Sequence, residues 1–221
     1  MRKFVYISAI VFILISCNKN KNQISKIEIK ENPLFKFYKD TTFSEIYVYP
    51  DTNYTKSKFL FSGKQIDSIT LSKISKNIGN GIPWTEGFYG IYSFKINKKY
   101  TGLITRIPGI YDSSVISLWL YNNDNNSVVK NIQLADVVGD AGASEIINSY
   151  LFFEKDNKIR AFTYRHYSYD HSVEEESDTI IEENRDFYLI DINGNSIDTI
   201  SKNTIKLKNK FKKQLLRLSR Y

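Results

Sequence analysis

Val115-Ile116-Ser117-Leu118-Trp119-Leu120-Tyr121 alternates with a period of two. Ile116, Leu118 and Leu120 fall on one face, with Ser117, Trp119 and Tyr121 on the other, the signature of a strand. Asn122 to Asn126 follows at once, residue types that tolerate the backbone of a tight turn. Val128 to Leu134 then reads as a second strand. A connection this short joins antiparallel neighbours, because parallel strands need a long crossover.

Working outward, the same pattern repeats. Phe88 to Ile96 and Tyr100 to Ile107 read as strands before this hairpin. Ile146 to Glu154, Ile159 to Tyr167, Asp186 to Ile192 and Ser196 to Ile200 read as strands after it. Asn97-Lys98-Lys99, Lys155-Asp156-Asn157 and Asn193-Gly194-Asn195 supply turns between them. The expectation is a mainly β fold, an antiparallel meander. Aromatic side chains on both strand faces suggest closure as a barrel, a sandwich or a partial propeller, and the uneven turn spacing does not choose among these. The 16 Tyr and 14 Phe of this 221-residue chain suit such a fold.

Upstream, Lys26 to Lys30, Leu34 to Tyr38, Glu45 to Tyr49 and Lys58 to Phe61 are strand-like. Leu71, Ile74 and Ile78 recur at helical spacing and stop at Gly79. Downstream, Leu207, Phe211, Leu215 and Leu218 form one helical face surrounded by Lys206, Lys208, Lys210, Lys212, Lys213 and Arg217. Such a helix packs on the sheet, or lies on anionic lipid headgroups; docking on the sheet is the expected arrangement.

The formal charge of +7 is concentrated at the two ends. Between Glu31 and Ile200, 17 Lys and Arg face 23 Asp and Glu, a net of −6. Ser201 to Tyr221 carries eight basic residues and no acidic one. A nucleic-acid binder gathers its basic groups on the folded face that tracks phosphate, so nucleic acid is not an expected partner.

The chain opens with Arg2 and Lys3, then a twelve-residue run from Phe4 to Ile15, apolar apart from Ser8 and the Tyr6 hydroxyl. Leu14-Ile15-Ser16-Cys17 ends it at the one cysteine of the chain. A charged start, a short apolar run and a small residue before the cleavage point form an export signal, and spanning a bilayer takes about 20 apolar residues. The last four residues resemble the lipobox of bacterial lipoproteins. The resemblance implies cleavage before Cys17 and lipid on its sulfur and new amino terminus. Asn18 follows where enteric inner-membrane lipoproteins carry aspartate, which implies the outer membrane. Gln133-Leu134-Ala135, Gly139-Asp140-Ala141-Gly142 and Asp170-His171-Ser172-Val173 are similar to segments of uncharacterised bacterial lipoproteins of this length, a likeness that implies no activity. The expected organisation is a signal peptide (1–16), a lipidated tether (17–30), an antiparallel β domain (31–200) and a basic C-terminal helix (201–221). With Cys17 lipidated, no thiol is left for disulfides or nucleophilic chemistry.

Two segments carry candidate chemistry. Asp136 to Glu145 places two glycines around Asp140, and its carboxylates suit a cation, although Val138 breaks the alternation of oxygen ligands that a calcium loop requires. Asn122 to Asn126 has the alternation but lacks the glycine and the terminal glutamate. Asp170 to Glu183 holds seven acids and no Lys or Arg, with His171 inside and His166 just before it. Crowded carboxylates raise one another's pKa, yet histidines five apart lie on opposite faces of a strand. Turns and a solvated loop are the expected forms of these segments, with no cofactor and no resident metal; Asp140, Glu145, Asp170 and His171 are the candidates for a cation site. No zinc-type histidine pair, phosphate-binding glycine loop or nucleophile elbow occurs. The expectation is a lipid-anchored, noncatalytic envelope protein that binds a protein or a glycan. The alternative is a cation-dependent envelope hydrolase built on Asp140, Glu145, Asp170 and His171.

Overall fold

The computed structural model describes residues 32–50, 60–74, 87–109, 114–154, 158–171, 181–194 and 196–220. In chain order the strands are β1 (Lys39–Asp40), β2 (Glu45–Val48), β3 (Lys64–Gln65), β4 (Tyr89–Lys95), β5 (Tyr100–Pro108) and β6 (Ser114–Asn122). The later ones are β7 (Ser127–Asp140), β8 (Ala143–Phe153), β9 (Ile159–Asp170), β10 (Ile181–Asn193) and β11 (Ser196–Lys202). The helices are α1 (Ser68–Ile74), α2 (Ile205–Lys210) and α3 (Lys212–Leu218).

From β4 to β11 each strand pairs with its neighbour in sequence, antiparallel throughout, as the short turns require. β1 adds in parallel to β4, β3 pairs antiparallel with β4, and β2 pairs antiparallel with β8. The result is one mixed sheet of eleven strands. The path runs from β1 to β11 without returning, so it is not closed as a barrel.

β7 makes the sheet turn. Ser127 to Ala135 pairs with β6, and Asp136 to Asp140 pairs with β8. Two register shifts opposite β6 accompany the change of partner, since a bulge bends its strand and increases its twist. β2 covers the edge of β8 beyond the point where β7 leaves it, from Ser149 to Phe152. The bend brings Ile104, Leu118 and Leu120 into one core with Leu151, Ala161 and Ile190. Leu134 and Ala135, at the bend itself, are fully buried.

Both outer faces are covered. On β5 and β6, Leu103, Trp119 and Tyr121 lie under Leu34, Phe37, Ile66, Leu71 and Ile74. On β8 to β10, Tyr150, Phe152, Phe162 and Leu189 lie under Leu207, Phe211 and Leu218. The Phe211 ring stacks on Phe162 at 4.5 Å between centroids, and the Asn148 amide donates to the Leu218 carbonyl at 2.8 Å. Burying each such apolar side chain is worth about 1.5–3 kcal/mol, so the apolar stripe of the C-terminal segment docks on the sheet. The Thr204 hydroxyl caps α2 by accepting from Leu207 N–H. This segment is two short helices sharing Phe211, not one, and its first residues, Ser201 and Lys202, belong to β11. Among the described residues no helix is long and apolar enough to cross a membrane.

Two strand expectations are corrected. Leu34 to Tyr38 contains a 3-10 turn at Phe35–Phe37, because the Asn32 side chain accepts from Leu34 N–H and Pro33 lies at its start. Leu60 and Phe61 form a turn, whereas Lys58 and Phe59 lie outside the described residues. Lys26 to Lys30, Ile78, Gly79 and Cys17 also lie outside them. Asp67 starts α1, its carboxylate accepting from Thr70 N–H at 2.7 Å.

Candidate functional site

The two acidic segments meet at one end of β7 to β10. Asp140 and Ala143 flank a two-residue hairpin whose central residues, Ala141 and Gly142, have φ of +44° and +85°. Positive φ at both positions matches the twist of paired strands. The turn expected in this segment is therefore the tip of a hairpin, confined to Ala141 and Gly142, with Asp136 to Asp140 and Ala143 to Glu145 in the flanking strands. Asp170 N–H donates to the Gly142 carbonyl at 3.0 Å, holding the tip of β9 beside it. Ile181, Glu182 and Glu183 are strand residues too, so the expected loop is confined to residues between the two strands, and 172–180 lie outside the described set.

Strand alternation then divides the candidates. Glu145 and Asp140 share the β8 and β7 face that leads to Leu151, Ala161 and Ile190. Asp170 shares the opposite face with His166 and Glu183, the face that leads to Phe162 and Leu189. His171 follows the end of β9. Glu145, Glu182 and Glu183 each lie beside a basic side chain. Glu145 binds Arg165, which also bonds the Tyr188 hydroxyl and is held more firmly charged by Glu145. Glu183 meets Arg185 at 2.6 Å and His166 at 3.7 Å, and Glu182 meets His171 at 3.5 Å. Among the described residues no three His, Cys, Asp or Glu side chains come together as a metal set.

One acid stands apart. Asp136 is buried at the bend of β7; its Oδ2 accepts from the Gln133 amide at 2.5 Å, and its Oδ1 has no hydrogen-bond partner among the described residues. Burial pushes its carboxyl up, and the nearby Glu145 charge adds to this. Only its place among Val137 and Val138, strand-forming residues, could have signalled this from sequence.

The opposite end of the same strands is a cleft of about 790 Å³, lined by Lys95, Asn97, Lys98, Lys158, Asn193 and Gly194 around Ile96, Phe153 and Ile192. No family model, curated protein or solved structure matches the chain. The walls of the cleft are fixed turns. Asn97 Oδ1 accepts from Lys99 and Tyr100 N–H, Asn193 Oδ1 accepts from Ser196 N–H, and Glu154 N–H donates to the Lys158 carbonyl. Gly194 lies directly under the Tyr100 ring, where an added Cβ would come within 2.0 Å. Asp191, the one carboxylate among the described lining residues, is bound by Arg160 at 3.2 Å. Sequence reasoning passed over these lysines because each lies at a turn or strand end, where a lysine is ordinary.

Proposed function

We propose that the chain is a lipid-anchored, noncatalytic cell-envelope protein whose β domain binds a partner, a protein or a glycan, at the outer membrane. The observation that carries this reading is the run Phe4 to Ile15 closed by Leu14-Ile15-Ser16-Cys17 after Arg2 and Lys3. One acyl chain binds a bilayer only marginally, and more than one on Cys17 gives a stable hold. The division of Asp140 and Glu145 from Asp170 by the sheet supports binding over the cation-dependent hydrolase, since an acid–base or metal site needs its groups within one pocket. The docked stripe of Leu207, Phe211 and Leu218 supports an anchor at Cys17 rather than at the C-terminal segment.

The test is substitution Cys17→Ser in cells labelled with a radioactive or clickable fatty acid. The expected outcome is loss of label and release of the protein from the membrane fraction. Retention in the membrane with the signal uncleaved overturns the reading.

A further inference from the structure

We propose that the cleft at the Lys98 end of the sheet is a binding site for a small phosphate ester, its phosphoryl group held by Lys95, Lys98 and Lys158 and its organic body lying on Ile96, Phe153 and Ile192. The three lysines come from three places: the end of β4, the turn after it, and the residue that precedes β9. None of them forms an ion pair with a carboxylate among the described residues. Lys99, their neighbour in sequence, differs: it reaches Asp124 at 4.0 Å and the Tyr100 ring. Arg160 neutralises Asp191 and also binds Glu154, which Lys210 meets from the other side. The described carboxylates around the cleft, Glu154 and Asp191, are thus committed, and among the described residues three ammonium groups are left facing it.

Like charges gathered around one concavity raise the local concentration of a counter-ion, and the effect grows with the charge of that ion. A phosphate monoester is a dianion at neutral pH and matches three lysines better than a monoanionic carboxylate does. The floor adds selectivity for what the phosphate is attached to. Ile96 and Phe153 are half-buried, and Ile192 is buried beneath them, so an organic body covers apolar surface there. The volume is that of a small-molecule site, and the mouth of a β structure is a common place for one. The pinned turns around Asn97, Asn193 and Lys158 hold the walls in place before any ligand arrives. The inference goes beyond the binding role proposed above and does not need the anchor, because the lining residues that carry it all belong to the β domain.

The experiment is calorimetric titration of the full chain in nonionic detergent with phenyl phosphate, inorganic phosphate and phenol, at fixed ionic strength. Phenyl phosphate is expected to bind at one site, about tenfold more tightly than inorganic phosphate, the gain from covering part of a ring. The triple variant Lys95→Gln, Lys98→Gln, Lys158→Gln is expected to bind at least about tenfold more weakly, as exposed charges contribute up to about fivefold each. A control variant, Lys206→Gln, Lys208→Gln, Lys213→Gln, removes the same charge from exposed helix positions and is expected to keep wild-type affinity. Absence of saturable phenyl phosphate binding at millimolar concentration overturns the proposal. Equal weakening in both triple variants overturns it too, since the attraction would then be diffuse. Inorganic phosphate or phenol binding as well as phenyl phosphate removes the composite site.

Discussion

Strands β8, β9 and β10 have two ends, and the two treat charge in opposite ways. At the Gly142 end, described acids lie beside basic side chains: Glu145 pairs with Arg165 across β8 and β9, Glu183 pairs with Arg185 along β10, and the His166 and His171 rings lie near Glu183 and Glu182. At the Gly194 end, Arg160 consumes the local carboxylates and leaves lysines around an open cleft. The acidic end looks more chemical in sequence, yet among the described residues Glu145 and Glu183 are spent on Arg165 and Arg185. A charge becomes available to a ligand when its neighbours do not already satisfy it, and density along the sequence says nothing about that.

The most severe way to break the comparison is to remove what both ends share. Phe162→Ala deletes a fully buried ring of β9, stacked against Phe211. It should cost about 3–5 kcal/mol of stability in urea unfolding, with both ends lost together. Gly194→Ala separates the ends. The added methyl must displace the Tyr100 ring, which should cost about 1–3 kcal/mol and abolish phenyl phosphate binding, while the amide chemical shifts of Tyr167 and Glu183 at the other end stay unchanged. Arg165→Ala is the reciprocal case. Its side chain is half exposed, so the loss should be at most about 1 kcal/mol, with cleft affinity untouched.

The smallest expected effect is in pH dependence, and it has opposite signs at two aspartates. Burial raises the Asp136 carboxyl above its unfolded value, so the native state is favoured when it is protonated and loses stability as pH rises from the ordinary carboxylate range through the folded value. Asp186 is held low, first by the Asn203 amide. Its contribution is present above the ordinary carboxylate range and disappears as pH falls through the lowered value. Melting temperatures between about pH 3 and pH 7 should therefore fall less with rising pH in Asp136→Asn than in the wild type. They should rise less in Asp186→Asn.

Much of the meander was legible because its core strands alternate and its turns use Asn and Gly. Tyr100 to Ile107 and Val115 to Tyr121 differ from β5 and β6 by a residue or so at the ends. What stayed hidden was where strands continue through polar sequence. Asp136 to Asp140 reads as a loop because its acids and glycine disfavour strands, but partners on β8 impose the extended backbone. Ile181 to Arg185 is likewise carried into β10 by pairing with His166 to Asp170. Leu34 to Tyr38 failed in the other direction: its aromatics suggest a strand, while Asn32-Pro33 dictates a local turn. The candidate acids were visible at once, but their faces were not. A face depends on the register of β8 against β9, which is a long-range property. The lysine cleft gave no sequence signal, because three ordinary surface residues become a site only when the end of β4, the turn after it and the start of β9 lie together.

β7 has a consequence for how the molecule comes apart. It lends its first nine residues to one half of the sheet and its last five to the other, so neither half holds its full ladder of hydrogen bonds unless the other is also formed. Local opening on either side must therefore tear the strand at Leu134 to Asp136, among fully or nearly buried side chains. The two halves should melt as a single cooperative unit, with the amides around Ala135 exchanging only at the rate of global unfolding.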